Sequence, residues 1–351
     1  MSLILGIETS CDECSASVLL HEQKAGVDQF IPMSVSTYTQ IELHQPFGGV
    51  VPEVASRNHL EQVQPVILDA LAKAKIEVED VDAIAVTNRP GLIGALLVGV
   101  TAAKALAYST QKPLIPVHHL EGHLMSAFIG NPSIQFPAVF LMVSGGHTHI
   151  HYIEHPPIRW ERDVLKTSLF GRSIDDAAGE AFDKTAKILG FPYPGGRWID
   201  ENAQGGDPAA FDLPRGLKNK DTLDFSFSGL KTAVMLQVQT LQKLGKLDEM
   251  KKDLCASLQE AILDPLIKKT VRLAKEKKAK TIVIVGGVAA NSRLRERFLS
   301  ESPVPVVYPD LKYCTDNAAM IAAAGSIRFA QGGGLSADQY LTLNAFAMAE
   351  S

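Results

Sequence analysis

Short apolar runs separated by polar turns recur along this chain, with longer segments of helical spacing between them. Leu3 to Ile7 reads as a buried strand, the turn Glu8-Thr9-Ser10-Cys11-Asp12-Glu13 follows, and Ser15 to Leu20 reads as the returning strand. Val54 to Ala74 keeps apolar residues near helical spacing despite Pro65, and Asp82 to Thr87 is the next strand. Pro90-Gly91-Leu92-Ile93-Gly94 then opens a small-residue helix running to about Tyr108. An apolar run holding Pro113 and Pro116 leads into a helical stretch with Leu120, Leu124, Ala127 and Phe128. Ala138 to Val143 repeats the opening theme, with the turn Ser144-Gly145-Gly146-His147-Thr148 and a partner strand from His149 to Ile153. Two strand–turn–strand units in corresponding places predict an internal duplication, one unit per lobe.

Further on, Ser173 is the expected cap of a helix with Asp176 near its third position, apolar residues at 174, 178, 181, 182, 185 and 189, and Gly190 at its end. Asp183 lies on nearly the same face as Asp176. The loops Pro192 to Gly196, followed by Asp200, and Asp224 to Lys231 carry more functional groups than a connection needs. Thr281 to Val285 is a strand that runs into Gly286-Gly287-Val288-Ala289-Ala290-Asn291 and a helix with Arg293, Arg295 and Arg297. Strand, glycine pair and helix N-terminus together form a common nucleotide cradle. Tyr313-Cys314-Thr315-Asp316-Asn317 precedes an alanine-rich helix whose expected cap is Thr315 or Asp316.

At 351 residues the chain is long for one core and predicts two lobes. An apolar share of 46% and a charged share of 21% exclude a disordered chain. No basic region precedes the first apolar run, so no signal peptide is expected, and the uncharged stretch Gly91 to Ala103 is too short to span a bilayer. Cys11 and Cys14 form a CxxC with no second pair, and Cys255 and Cys314 stand alone, which suits a reducing cytoplasm rather than a disulfide scaffold. With a net charge of −5, nucleic-acid binding needs a local basic patch, such as the 293–297 arginines, or a helper subunit.

The chemistry concentrates in a few places. His119 and His123 are four apart on a helix, so both imidazoles can aim at one point, as in half of a metal site. The alternative is a pair of core or solvated histidines. Glu121 follows the first histidine by two residues, so the segment is not the H-E-x-x-H of a metalloprotease. The 8–13 turn can offer backbone N–H groups and Ser10 to a phosphate, or its acids to a cation, and the Ser-Gly-Gly turn can cradle an anionic group.

Taken together, eight stretches resemble one family. They are Gly6-Ile7-Glu8-Thr9-Ser10-Cys11-Asp12-Glu13, the Gly-Gly-Val-Val-Pro-Glu-x-Ala-Ser-Arg run from Gly48, and the His-His-x-Glu-Gly-His segment from His118. Val-Ser-Gly-Gly-His-Thr from Val143, Asp-Asp-Ala-Ala-Gly-Glu-Ala-Phe-Asp-Lys from Asp175 and Asp-Phe-Ser-Phe-Ser-Gly-Leu-Lys from Asp224 join them, with Gly-Gly-Val-x-Ala-Asn and Cys-Thr-Asp-Asn. In that order they are similar to the bacterial TsaD family of tRNA N6-adenosine threonylcarbamoyltransferases, up to about Arg328. The resemblance implies an α/β actin/hexokinase/Hsp70-like (ASKHA) fold, two duplicated βαβ-rich lobes around a cleft. The lobes are expected at residues 1–118 with 318–351, and at 119–317.

It also implies one divalent metal ion per chain, Fe2+ or Zn2+, on His119, His123 and Asp316. Substrate contacts map to Met142, Val143, Ser144, Gly145, Gly146, Asp183, Gly196, Asp200 and Asn291, and Asp12 and Glu13 match acids needed for activity. The implied reaction moves threonylcarbamoyl from threonylcarbamoyl-AMP to N6 of the adenosine 3′ of the anticodon, position 37, in tRNAs reading codons that begin with A. This forms t6A in the cytoplasm, with a TsaB-like paralogue and a TsaE-like ATPase as partners and no membrane. Cys14, Asn88-Arg89 and Met142 depart from the family pattern. Met142 stands where archaeal and eukaryotic relatives carry a tyrosine able to approach the metal, so no fourth protein ligand is expected there. The competing readings are a metal-dependent endopeptidase, an ASKHA-type ATPase or kinase, and a non-catalytic scaffold.

Overall fold

The apolar run at the start of the chain becomes β1 (Ser2–Glu8), with Ile4, Leu5 and Ile7 fully buried, in a computed structural model that describes residues 1–131, 133–160, 164–218 and 221–348. The 9–12 turn returns it antiparallel as β2 (Glu13–Lys24), which pairs in turn with β3 (Val27–Thr39). After α1 (Ile41–His44) and the long α2 (Pro52–Ala74) come β4 (Ala83–Arg89), α3 (Ile93–Thr110) and β5 (Leu114–His118). β4 runs parallel to β1, and β5 parallel to β4, giving the order β3-β2-β1-β4-β5. Helices cover these central strands, so β1 and β4 are buried along nearly their whole length rather than on alternate residues, and carry continuous apolar runs before their polar ends.

α4 (His119–Ser126) follows β5 without a gap, and a second sheet begins. It contains β6 (Ala138–Val143), β7 (Thr148–Ile153) and, after α5 (Val164–Thr167), β8 (Leu169–Arg172). Four helices follow, α6 (Ala178–Ile188), α7 (Gly195–Ala203), α8 (Ser228–Lys243) and α9 (Leu247–Glu276), then β9 (Thr281–Val285), α10 (Ser292–Glu301) and β10 (Val306–Val307). The order β10-β9-β6-β7-β8 repeats the first sheet: an antiparallel three-strand meander, then two parallel strands reached through helical crossovers. The expected duplication is therefore present as topology. α11 (Ala318–Ala330) and α12 (Ala337–Tyr340) end the fold.

The chain divides into two compact units, residues 1–134 with 156–161 and 309–351, and residues 135–155 with 162–308. This partition differs from breaks at 118/119 and 317/318, and the cause is packing. At Gly122 of α4 a side chain would collide with Ile321 and Met320 of α11, so α4 and the segment leading into α11 belong with the first sheet. Of the two expected lobes, only residues 132, 161–163, 219–220 and 349–351 lie outside the described ones. Ile93–Thr110 is, among the described residues, the one helix long and apolar enough to cross a membrane. Its Ala95, Leu96, Val100, Ala103 and Ala107 are buried, most of them in the first unit's core cluster.

Three local expectations change. α6 starts at Ala178, not near Ser173, because Asp175 is held elsewhere. Its carboxylate accepts from Ser226 Oγ (2.5 Å), Phe227 N–H (2.7 Å) and both the N–H and Oγ of Ser228 (3.3 and 2.8 Å). That also accounts for the polar density of the 224–228 loop. The cap of α11 is Asn317, whose Oδ1 accepts Met320 N–H at 3.1 Å, rather than Thr315 or Asp316.

The arginines of α10, finally, form no free basic face. Arg297 is buried and donates to Glu260 (2.6 Å), Asp264 (2.7 Å) and Glu301 (2.7 Å). Arg293 binds Glu260 and Glu296, and Arg295 donates to Ala289 O and lies 4.6 Å over the Tyr308 ring. Removing one member of a buried ion cluster strands its partners, although Arg293 and Arg215 still neutralise Glu260 and Asp264 here. Arg297→Ala is expected to lower unfolding stability by about 2–4 kcal/mol. Urea denaturation of wild type and variant measures it; a loss below about 0.5 kcal/mol would mean the cluster is structurally idle.

Candidate metal centre and donor-side residues

β5 stops where α4 starts because His118 keeps an extended backbone and its Nδ1 accepts the Leu120 N–H at 3.2 Å. His119 and His123 then lie one turn apart, with ring centroids 4.6 Å from each other. With Asn317 capping α11, Asp316 turns its carboxylate to the histidines: Oδ1 is 3.5 Å from His119 Nε2 and 3.2 Å from His123 Nε2. One ligand atom from each of the three lies within 4.8 Å of the others.

His119 is oriented from behind. Its Nδ1 is 3.1 Å from Glu8 Oε2 and 3.2 Å from Ser10 Oγ. Glu8 in turn accepts from Thr87 Oγ1 (2.6 Å) and from the Ser10 N–H (2.5 Å). A carboxylate at Nδ1 fixes a proton there, so Nε2 is the nitrogen turned to His123 and Asp316. Burial raises the cost of charge on Glu8, but His119 beside it wins and holds its carboxyl below the usual range. Burial also disfavours a charged His119, yet Asp316 and Glu8 outweigh it and push that imidazole up to about 9. The pocket therefore has a field that favours a cation.

His123 gives the sharper test of fit. It is fully buried, and neither ring nitrogen makes a hydrogen bond; Nε2 approaches Asp316 without hydrogen-bond alignment. A buried nitrogen left unmet is costly, and coordination would meet it. Two imidazole nitrogens and one carboxylate oxygen suit a divalent first-row ion with open positions. Glu121 is buried away from this point and accepts from Arg328 of α11.

Asp12 and Glu13 occupy the turn next to Ser10. Thr39 Oγ1 donates to Glu13 Oε1 at 3.0 Å, and burial, helped by Asp12, pushes the Glu13 carboxyl up to about 8.

The second unit holds the remaining residues, and they form one connected series. Met142 and Val143 are wholly buried in β6, Ser144 is nearly so, and Gly145 and Gly146 are exposed at the strand's end. α6 packs its Gly179 directly against Ser144 and Gly145, with the Gly179 N–H donating to the Ser144 carbonyl at 3.2 Å. One turn later, Asp183 Oδ1 accepts the Gly195 N–H at 2.6 Å and so holds the start of α7, beside Gly196. On α7, Asp200 accepts from the N–H (2.9 Å) and Oγ (2.8 Å) of Ser292 at the start of α10. Asn291 caps α10 through Leu294 N–H (2.8 Å) and donates to Gln259 Oε1 at 2.9 Å. Gly286, at φ +94°, lets β9 end against the Val143 carbonyl, where any side chain would collide. Reasoning from sequence did not find the orienting role of Glu8, Ser10 and Thr87. The available signal was the crowding of functional groups in the 8–13 turn, which that reasoning left open between phosphate and cation.

Comparison with known proteins gives the family and the fold. The model of the family described as TsaD, tRNA N6-adenosine threonylcarbamoyltransferase, matches residues 33–323. A protein of that name from Ralstonia pickettii is 46% identical over 331 residues, covering 93% of this chain and 91% of its own. One from Anaeromyxobacter is 49% identical over 341 residues (95% and 97%), and one from Thermosipho melanesiensis is 44% identical over 345 (97% and 99%). Among solved structures, component A of the Acidaminococcus fermentans (R)-2-hydroxyglutaryl-CoA dehydratase superposes with a TM-score of 0.53 at 15% identity, covering 94% of this chain and 100% of that one. The activator of the Clostridium difficile 2-hydroxyisocaproyl-CoA dehydratase gives 0.51 at 14% identity, covering 95% and 99%. Those two likenesses establish the ASKHA, actin-like ATPase fold, and the identities along nearly the whole chain go further: it belongs to the TsaD family and is a tRNA N6-adenosine threonylcarbamoyltransferase by class.

Proposed function

We propose that the chain transfers threonylcarbamoyl from threonylcarbamoyl-AMP to N6 of adenosine 37 in tRNAs reading codons that begin with A, with a divalent ion, Fe2+ or Zn2+, held by His119, His123 and Asp316. The observation that carries the metal assignment is the fully buried His123, whose Nε2 makes no hydrogen bond yet sits 3.2 Å from Asp316 Oδ1. In the transfer, N6 bonds to the carbamoyl carbon, the bond from that carbon to the phosphate oxygen breaks, AMP leaves, and N6 gives up one proton. Bound at these residues, the ion would supply Lewis-acid stabilisation of negative charge on the donor.

The chain's own groups do the rest. Glu8 and Ser10 hold His119 through Nδ1 and leave its Nε2 turned inward. Glu13, with a pKa near 8, exchanges protons close to neutrality, which supports its assignment with Asp12 to the catalytic set. Ser144, Gly145, Gly146, Asp183, Gly196, Asp200 and Asn291, with the main chain of Met142 and Val143, are assigned to the donor. Their hydrogen-bonded series from β6 to α10 supports a preorganised binding surface. The α10 arginines are engaged internally, so a TsaB-like paralogue and a TsaE-like ATPase are assigned as helpers for tRNA. α2 and α3 expose Leu60, Leu68, Ile93, Leu97 and Tyr108, apolar side chains suited to a protein partner. The work is assigned to the cytoplasm, where tRNA is modified. Glu121, tied to Arg328, argues against the endopeptidase reading.

His119→Ala and Asp316→Ala are each expected to lose bound metal and transfer while staying folded, since a three-ligand site fails when one ligand goes. Elemental analysis and circular dichroism check this, and full metal occupancy in both would remove the ligand assignment. Glu121→Gln is expected to keep its metal and lose at most about ten- to a hundredfold in transfer, through its contact with Arg328. Metal-dependent cleavage of an unstructured protein that vanishes in Glu121→Gln, with no transfer by wild type, would favour the peptidase instead.

Asp183→Ala and Asn291→Ala are expected to keep metal but lose donor binding, each with a stability loss of about 1 kcal/mol from its missing helix-terminal contact. Titration with a non-reactive donor analogue measures the affinity, and unchanged binding in both variants would contradict the assignment.

A further inference from the structure

The face of α2 that meets the sheet buries Ala55, His59, Val66, Ala70 and Ala74, and one of these positions holds an imidazole. His59 is fully buried, with Nε2 2.9 Å from the main-chain carbonyl of Cys11. A carbonyl only accepts, so Nε2 carries the proton and Nδ1 holds a lone pair, which no group meets. Burial is the largest influence on this ring and lowers its pKa, leaving it neutral.

His44 behaves in a complementary way: its Nδ1 accepts the Val51 N–H at 3.3 Å, so its buried Nε2 bears the proton and has no acceptor. The next two residues of the turn are held by the end of β3. The Gln40 N–H donates to the Asp12 carbonyl at 3.0 Å, and Thr39 Oγ1 donates to Glu13. Cys11, Asp12 and Glu13 thus each accept a hydrogen bond from a different residue, and the one to the Cys11 carbonyl comes from a helix side chain. A stripe position serving packing alone is better filled by leucine, because an imidazole with an unmet nitrogen weakens a core.

We propose that His59 is a positioning residue for the transfer reaction: its Nε2–H fixes the Cys11 carbonyl and thereby sets where the Asp12 and Glu13 carboxyls are presented. The role rests on the reading of Asp12 and Glu13 as catalytic. It assigns a task to a buried group that neither the metal nor the donor residues use.

The test compares His59→Leu, His59→Gln and Glu13→Gln in the full chain with its partner subunits, threonylcarbamoyl-AMP and unmodified tRNA. Metal content and Tm are measured on each. Leucine fills the space without a donor, whereas glutamine returns an N–H near the place of Nε2. In His59→Leu, kcat is expected to fall about ten- to a hundredfold with the KM for tRNA, metal content and Tm close to wild type. His59→Gln should recover to within about threefold of wild type. Wild-type kcat in His59→Leu, equal losses in the leucine and glutamine variants, or a loss that tracks metal content or Tm overturns the proposal. Glu13→Gln separates the two readings. Wild-type turnover there means the turn is not catalytic, and an inactive Glu13→Gln beside a fully active His59→Leu removes the positioning role alone.

Discussion

The carboxylate of Glu8, wholly buried beneath His119, sets the terms for the first unit's site. A lone buried carboxylate is expensive, so β1 can end in one only if several donors converge on it. They come from three places: Thr87 at the end of the neighbouring parallel strand β4, the Ser10 N–H in the turn, and the His119 ring at the start of α4. Because each donor belongs to a different element, satisfying Glu8 fixes β1, β4 and α4 relative to one another. The same contact fixes the imidazole tautomer. One interaction thus joins the stability of the sheet's end to the chemistry of the site.

Around that contact the negative charge is left in excess. Glu8 and Asp316 face two imidazoles, one raised towards protonation and the other buried with no hydrogen bond at all. Such an arrangement is poor as a packing solution and good as a cation receptor. Glu121 illustrates the contrast. Two residues from His119, it is neutralised by Arg328 on the neighbouring helix and contributes to packing instead.

The second unit solves a different problem, that of ending helices without wasting their polar termini. Asp183, Asp200 and Asn291 each satisfy backbone N–H groups at a helix or loop start, and each does so at the edge of the next element. The series runs from the Ser144–Gly145 turn through α6 and α7 to α10, so a displacement at one residue is transmitted to its neighbours. Residues assigned to a ligand and residues that hold the scaffold are here the same residues. Donor binding and local order should accordingly be coupled.

The sequence by itself determined β1, β2, β4, β6, β7 and β9, the duplicated strand–turn–strand units, the His119/His123 pair and the family, because these depend on spacing along one element or on motif order; β3, β8 and β10 were not legible in it, and β5 was legible only as an apolar run. The helix period alone brings two imidazoles to one face, and buried parallel strands announce themselves as continuous apolar runs. Only the tertiary structure decided what depends on distant segments meeting. It gave Asp175 to the 226–228 loop and so delayed the start of α6, and it passed the α11 cap from Thr315 or Asp316 to Asn317. It turned Arg293 and Arg297 of α10 onto Glu260 and Asp264, and Arg295 onto Ala289 and Tyr308, where their sequence pattern suggested an exposed basic face. It also placed Glu8, Ser10 and Thr87 behind His119, and His59 beneath the Cys11 carbonyl. The partners in these contacts are between 33 and 111 residues apart, or lie on opposite sides of a helix start, and no local pattern encodes which donor a buried acceptor will find.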